Sequence, residues 1–101
     1  MRLRIVPGRD AQTLILKGEL DLASAGQLVD AVDLCSFPEG DTILDCSALS
    51  FLDAAGAHAI VSIAEDLPMG SKLVLRGANG VALRVLQMLR VDRHPRIDIE
   101  P

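Results

Sequence analysis

The spacing of the apolar residues changes several times along this chain, and that alternation restricts its fold more than any other feature. The stretch "RLRIV" alternates charged and apolar residues, which predicts a half-buried strand. "PGRD" then marks a turn, and the nearly continuous apolar run "QTLILKG" predicts a second, more buried strand. Because the turn between them is short, we expect these two strands to pair antiparallel.

Three later segments have helical spacing instead, with apolar residues three or four positions apart. Their apolar stripes run over residues 22–35, 57–67 and 82–89. The first stripe begins at Leu22 and ends at the Pro- and Gly-containing break of residues 37–40. Pro68 ends the second stripe, and Asn79 or Gly80 can cap the third helix.

Short strand-like segments follow each predicted helix. "TILD" stands between the first and second helices, "KLVL" between the second and third, and "RIDIE" alternates like an edge strand near the C-terminus. Alternating strands and helices favour parallel pairing, because each crossover helix returns the chain to the same end of the sheet. We therefore predict a single α/β domain over residues 1–101, a small, mixed, mostly parallel sheet of about four or five strands with about three or more packed helices and right-handed crossovers.

The composition excludes several classes of function. Phe37 and Phe51 are the only aromatic residues, so the chain lacks the stacking platform of single-stranded nucleic-acid binders. A net charge of -4 repels phosphate backbones, and we interpret the arginines at positions 84, 90, 93 and 96 as solvated surface. No apolar run approaches the roughly 20 residues that span a bilayer, and the N-terminus has no secretory apolar region. We expect no nucleic-acid partner, no direct membrane insertion and a cytoplasmic location.

Candidate reactive side chains are few and loosely spaced. Cys35 and Cys46 lack a CxxC spacing and are predicted to be buried thiols. His58 is predicted to face solvent near the start of the second helix. Cys46 lies between Asp45 and Ser47, but a nucleophilic thiol needs a base and an oxyanion site, which no spacing here indicates. We therefore expect no enzyme activity, no metal ion and no cofactor.

The loops at the carboxyl ends of parallel strands are where an α/β sheet usually places its functional residues. Three segments should meet at this edge of the sheet: residues 18–24, 45–53 and 77–80. Helix N-termini there could bind an anion or a nucleotide. Asp21, Asp45 and Asp53 argue against that alternative, because carboxylates repel anions and the P-loop spacing is missing.

Asp53 stands directly before the second helix and is followed by four very small residues, Ala54, Ala55, Gly56 and Ala57. A carboxylate at this position caps the helix, which is worth about 1 kcal/mol. Capping does not explain the small residues, since glycine inside a helix costs roughly 1 kcal/mol relative to alanine. We interpret the four residues as a patch that lets another protein backbone approach closely.

Three longer stretches carry a family resemblance and together cover most of the chain. They are "LKGELDLASAGQLVDAV", "ILDCSALSFLDAAGAHAIVSIAEDL" and "LVLRGANGVALRVLQMLRVD". The order and spacing of these stretches resemble the STAS domain, the fold of bacterial anti-sigma-factor antagonists. The most specific parts are residues 18–21, Asp45-x-Ser47 and Phe51-Leu52-Asp53-x-x-Gly56. The resemblance implies a small mixed sheet with helices, in agreement with the fold predicted from the apolar spacing.

The resemblance also implies a site. In family members that act as antagonists, the loop after the aspartate carries a hydroxyl residue that a kinase-type anti-sigma factor phosphorylates. The matching position here is Ala55, preceded by Ala54, and an alanine methyl has no oxygen to accept a phosphoryl group. The implied function is constitutive binding of a kinase-type anti-sigma factor by a protein that cannot be phosphorylated at this position. The implied contact residues are Asp21, Ser24, Asp53, Ala54, Ala55, Gly56 and Ala57.

A second function stays open on this sequence. The same surface could make the chain a STAS adaptor or scaffold domain within a transporter or a larger signalling assembly. A neighbouring gene for a kinase-like anti-sigma factor would favour the first function, and a neighbouring permease or ATPase gene would favour the second.

Overall fold

The computed structural model describes residues 2–35 and 40–101, which form five strands and three α-helices. In chain order they are β1 (Arg4–Pro7), β2 (Thr13–Leu20), α1 (Ala25–Cys35), β3 (Thr42–Leu52), α2 (Ala54–Asp66), β4 (Leu73–Arg76), α3 (Gly80–Met88) and β5 (Ile97–Glu100). A 3-10 turn, Val91–Arg93, connects α3 to β5. All but Gly40 of the predicted break at residues 37–40 lies outside the described residues.

The strands form one sheet in the order β1-β2-β3-β4-β5. β1 pairs antiparallel with β2, as the short turn predicts, and the other neighbours are parallel. The predicted class, a small, mixed, mostly parallel α/β sheet with packed helices, is confirmed. Each helix connects a strand to its next neighbour in the same direction, so right-handed crossovers place all three helices on one face of the sheet.

The core lies between the sheet and this layer of helices. Leu14 pairs with Leu44 and Leu44 pairs with Leu75 across three strands, and none of the three side chains is more than 4% exposed. α2 adds Ile60 to the same cluster, and α3 adds Leu86. Burying one aliphatic side chain of this size stabilises the fold by about 1.5–3 kcal/mol. Such rows fix the register of the strands and hence the positions of the loops at their ends.

The opposite face of the sheet carries no helix among the described residues. Two ion pairs cross from β4 and the residue before it to β5, Lys72 with Asp98 at 3.6 Å and Arg76 with Glu100 at 3.1 Å. All four side chains are about half exposed. Ion pairs this exposed contribute about 0–1 kcal/mol each. They place charged side chains at the β5 edge of this face.

β2 and β3 are longer than the apolar spacing predicts. Residues 19–20 and 46–52, which we expected in loops, continue the two strands as neighbours. Gly18 pairs with Leu49 and Leu20 pairs with Leu52, while register shifts interrupt the pairing between Ile15 and Lys17 and beside Gly18. Because such irregularities break the alternation of apolar and polar residues, the sequence pattern hides the extensions.

α1 begins at Ala25, not at Leu22 as the apolar stripe predicts. Leu22 is 79% exposed and lies in the turn before the helix. Cys35, at the end of α1, is exposed, so its predicted burial is wrong. Cys46 is fully buried in β3 as predicted, and burial raises the pKa of its thiol to about 12.

The C-terminal end of α2 is closed by Arg96, which precedes β5. Its guanidinium donates hydrogen bonds to the carbonyl oxygens of Leu67 (2.8 Å), Pro68 (2.6 Å) and Ser71 (2.9 Å), and also to that of Glu65. Helix ends leave carbonyls without intrahelical donors, and a cation is favourable there. The interpretation of Arg96 as solvated surface is therefore wrong.

Candidate functional site

Asp53 joins two loops at the carboxyl ends of β2 and β3. It is the N-cap of α2, and its Oδ1 accepts a hydrogen bond from the Gly56 N–H at 2.9 Å. Its Oδ2 accepts a second one from the Leu22 N–H at 3.2 Å, across 31 residues of sequence. The Asp53 N–H in turn donates to the Leu20 carbonyl at 3.3 Å. One carboxylate thus orders the start of α2 and fixes the β2–α1 turn beside it.

Asp21 and Ser24 order that turn from within. The Ser24 N–H donates to Asp21 Oδ1 at 3.1 Å, and the Asp21 N–H donates to Ser24 Oγ at 3.0 Å. The Ser24 hydroxyl also lies 2.9 Å from the Glu19 carbonyl. This reciprocal pair has the form of a capping box, and it orders the turn that precedes α1. Ser24 is only 8% exposed, so its side chain supports the turn and offers little surface to a partner.

The small residues after Asp53 divide into two kinds. Ala54 is exposed and Ala55 is partly exposed, whereas Gly56 and Ala57 are buried. A Cβ at Gly56 would lie 2.5 Å from the Leu20 carbonyl oxygen, a contact that real side chains do not make. Gly56 therefore lets α2 pack directly on β2, and a partner would touch only the two alanines of the patch.

Two exposed apolar side chains border Asp53, and neither was predicted to belong to the site. Leu22, whose N–H binds Asp53, is 79% exposed, and Phe51, two residues before Asp53, is 41% exposed. Leu22 fitted the apolar stripe of α1 and was therefore expected in the core.

The third predicted segment reaches β3 at a different point. The Asn79 side chain donates hydrogen bonds to the carbonyls of Ser47 (3.2 Å) and Gly77 (3.1 Å), and it makes no capping bond to α3 although it is the N-cap residue. A Cβ at Gly77 would lie 3.1 Å from the Ser47 Cβ. Among the described residues, hydrogen bonds join this segment to Ser47 and none joins it to Asp53.

The site is concave on the side of the β2–α1 turn. A cavity of about 390 Å³ adjoins it, lined by Arg2, Leu3, Asp21, Ala23, Ser24 and Gln27. The Gln27 side chain donates to the Leu3 carbonyl at 3.0 Å and so holds the N-terminal strand against α1. A partner that covers the start of α2 would therefore meet a carboxylate-bearing hollow on one side and exposed apolar side chains on the other.

The reactive side chains near the site are already engaged or withdrawn from solvent. The Ser47 hydroxyl donates to Asp45 Oδ1 at 2.7 Å, which is the main cause of the lowered pKa of Asp45, and the Ser50 hydroxyl donates to the Gly18 carbonyl at 3.0 Å. Within residues 2–35 and 40–101, no group of acidic, His or Cys side chains has a metal-binding arrangement. In the same ranges no helix is long and apolar enough to cross a membrane.

Comparison with known proteins gives the family of this arrangement. A family model described as the STAS domain matches residues 6–100. No curated protein sequence matches the chain. Among solved structures, an anti-sigma factor antagonist from Mycobacterium paratuberculosis superposes with a TM-score of 0.75 at 21% identity, over 99% of this chain and 86% of its own.

Two further solved structures have the same fold. A putative anti-sigma factor antagonist from Thermotoga maritima gives a TM-score of 0.74 at 22% identity, over 99% of this chain and 85% of its own. The anti-sigma factor antagonist SpoIIAA, in its unphosphorylated form, gives 0.72 at 18% identity, over 97% of this chain and 87% of its own. At these identities the similarity establishes the shared fold.

Proposed function

The chain belongs to the STAS domain family, and from this premise we propose that it is a non-enzymatic, protein-binding regulator that acts as a constitutive anti-sigma-factor antagonist. Its partner is an anti-sigma factor of the kinase type. The docking surface consists of the exposed start of α2 (Ala54 and Ala55), the Asp21 and Asp53 carboxylates, and the flanking Leu22 side chain.

The observation that carries this proposal is the double hydrogen bonding of Asp53. Because its two oxygens bind the N–H groups of Gly56 and Leu22, the start of α2 and the β2–α1 turn form one pre-ordered surface. A partner that docks there has little backbone ordering left to oppose binding, which favours affinity. The small alanine side chains at this point allow close approach of the partner backbone.

Ala55 makes the surface independent of phosphorylation. A phosphate at this position would add about -1.5 to -2 charge next to the Asp53 carboxylate and inside a close contact, which would oppose docking. Alanine offers no oxygen for that modification. The two hydroxyls that precede this position on β3, those of Ser47 and Ser50, are hydrogen-bonded there. The proposed docking surface therefore stays unphosphorylated at this position and remains able to bind.

The buried thiol of Cys46 supports a binding role over catalysis. With a pKa of about 12, the thiol stays protonated near neutral pH, and a thiol in that state is a poor nucleophile. His58 is exposed on α2, on an element distinct from the β3 interior where Cys46 lies. The Cys46 thiol donates its hydrogen bond to the Leu44 carbonyl at 3.5 Å.

Affinity capture from the native lysate tests the proposal. Immobilised wild-type protein, Ala55→Glu and Ala11→Glu are compared, and retained proteins are identified by mass spectrometry. Ala11→Glu is the matched control, because it makes the same change in the exposed β1–β2 turn at the opposite end of β2.

Capture of a kinase-type anti-sigma factor by the wild type and by Ala11→Glu, with loss in Ala55→Glu, supports the proposal. Capture of a transporter or scaffold component that depends on Ala55 in the same way would instead make the chain an adaptor. Equal capture of the anti-sigma factor by all three proteins would place the docking surface elsewhere.

A further inference from the structure

Charge is segregated within the helical layer. α1 and α2 contain four acidic residues, Asp30, Asp33, Glu65 and Asp66, and neither lysine nor arginine. The segment from α3 through the 3-10 turn, residues 80–93, has the opposite character, with three arginines and a single acid. The layer thus has an acidic side and a basic side although the whole chain is acidic.

The basic side also carries exposed apolar side chains. Met88 is 73% exposed and Leu89 is 46% exposed, beside the exposed Arg84 and Arg90. Arg84 and Met88 are four residues apart on α3, so they share one face of the helix. We refer to Arg84, Met88, Leu89 and Arg90 as the arginine ridge. Within residues 2–35 and 40–101, neither arginine of the ridge forms an ion pair or a side-chain hydrogen bond.

The backbone of the ridge is unusual at Arg90. Its φ of 58° lies in the left-handed region, and it is the one residue other than glycine with a positive φ in the described part of the chain. Glycine is the residue favoured at such a position after a helix. Arg90 keeps this conformation although its side chain has no ion-pair or hydrogen-bond partner among the described residues.

The acidic side carries a groove that complements the ridge. Between α1 and α2, the side chains of Val29, Val32 and Ile63 line a narrow hollow, and the exposed Asp33 and Asp66 stand at its rim. We refer to these five residues as the acidic groove. Its lining is apolar and its rim is anionic, whereas the ridge has an apolar tip flanked by cations.

We propose that the arginine ridge of one copy docks into the acidic groove of a second copy of this chain. The flexible thioether of Met88 suits an irregular apolar hollow, and Arg84 and Arg90 lie against the carboxylates of the rim. Since ridge and groove lie on the same helical layer, a two-fold axis brings both ridge–groove contacts together and closes the assembly as a dimer.

The dimer is sensitive to salt. Two chains of net charge -4 repel each other overall, so association depends on the local attraction between ridge and groove. Exposed charge pairs are screened as ionic strength rises. The contact uses the outer face of α3 and the C-terminal halves of α1 and α2, not the start of α2, so it can fail or hold independently of the proposed function.

Sedimentation velocity over a range of protein concentrations, at about 20 mM and at about 500 mM salt, measures the association directly. We expect a concentration-dependent monomer–dimer equilibrium at low salt that shifts to monomer at high salt. A wild-type protein that stays monomeric at low salt up to millimolar concentration would overturn the proposal.

Charge reversal identifies the surfaces. Arg84→Glu and Asp33→Lys should each weaken self-association at least about tenfold, and an equimolar mixture of the two should recover dimer. In the mixed dimer, one contact joins the new glutamate at position 84 to the new lysine at position 33, and the other contact joins the unchanged Arg84 to the unchanged Asp33. Both contacts therefore join opposite charges. Arg4→Glu, an equal charge change on the exposed β1, is the matched control and should dimerise as the wild type does. A mixture that stays monomeric, or an Arg4→Glu variant as impaired as Arg84→Glu, would contradict the ridge–groove contact.

Arg90→Gly distinguishes a role of Arg90 in self-association from a role in the stability of the fold. Glycine relieves the left-handed backbone, so the variant should keep or raise its thermal midpoint while its self-association falls at least about tenfold. Undiminished dimer formation by Arg90→Gly would remove Arg90 from the contact and count against the proposed ridge.

Discussion

The two ends of α2 are held in different ways. At the N-terminal end, Asp53 caps the helix from the adjacent position in sequence and leaves the first turn open to solvent at Ala54. At the C-terminal end, Arg96 reaches back from the start of β5 and covers carbonyls of residues that precede it by 25–31 positions. One end is closed by the protein itself, and the other is ordered but left accessible. We propose that a partner docks at the accessible N-terminal end.

Among substitutions near the two ends of α2, Gly56→Ala is expected to cause the largest loss of stability. The added Cβ would lie 2.5 Å from the Leu20 carbonyl and 2.7 Å from Leu52 Cδ1, so α2 must shift away from the sheet. We expect a loss of about 3 kcal/mol in the free energy of unfolding, measured by urea denaturation.

Gly26→Ala is the control for Gly56→Ala, because Gly26 lies in α1 and a Cβ there would have no neighbour within 4 Å. This variant should gain up to about 1 kcal/mol from helix propensity. If both alanines stabilised the protein, close packing of α2 on β2 would not be what Gly56 provides.

The next effect is expected from Arg96→Ala at the closed end. Removing the guanidinium leaves the last carbonyls of α2 and the Ser71 carbonyl without their donors. Because these groups are partly exposed and water can replace some of the bonds, we expect a loss of about 2 kcal/mol. Arg96→Lys should recover less than half of it, since one ammonium cannot match the fork of the guanidinium. Unfolding curves identical to those of the wild type would show that the closed end contributes no stability.

A smaller effect is expected from Asp53→Ala at the open end. The change removes the cap on α2 and the bond to the Leu22 N–H, for a loss of about 1.5 kcal/mol. Asp53→Asn keeps one oxygen acceptor and should lose about half as much. Hydrogen exchange of the Leu22 and Gly56 amides reports the two bonds separately. Exchange at Leu22 that does not accelerate in Asp53→Ala would mean that the carboxylate does not hold the β2–α1 turn.

The order of the elements follows from apolar spacing, and the reason is local. Each helix and most strands present one apolar face, and Asp53 caps the helix that begins at the next residue, so these features can be predicted from short stretches. The extension of β3 to Leu52 could not be predicted this way. It depends on pairing with residues 18–20 across register shifts, and Ser47 and Ser50 interrupt the apolar pattern along it.

In the site too, features set by short stretches could be predicted and features set by contacts between distant residues could not. Asp21, Ser24 and Asp53 were predicted, and the structure brings them together. The exposed position of Leu22 and the contact of Arg96 with α2 were missed, because both depend on hydrogen bonds that span about thirty residues of sequence. Gly56 was correctly identified as a position that disfavours a side chain, but the reason is the Leu20 carbonyl beneath it and not a partner above it.

The most direct test of the central claim is a calorimetric titration of a purified kinase-type anti-sigma factor with the wild-type protein and with Ala55→Glu, before and after incubation with ATP. Ala55→Glu should unfold within about 0.5 kcal/mol of the wild type, because the site lies at the surface. We expect the wild type to bind equally well before and after incubation with ATP, and Ala55→Glu to weaken binding at least about tenfold. Unchanged affinity of Ala55→Glu, or loss of wild-type binding after ATP, would contradict a permanently open docking surface at the start of α2.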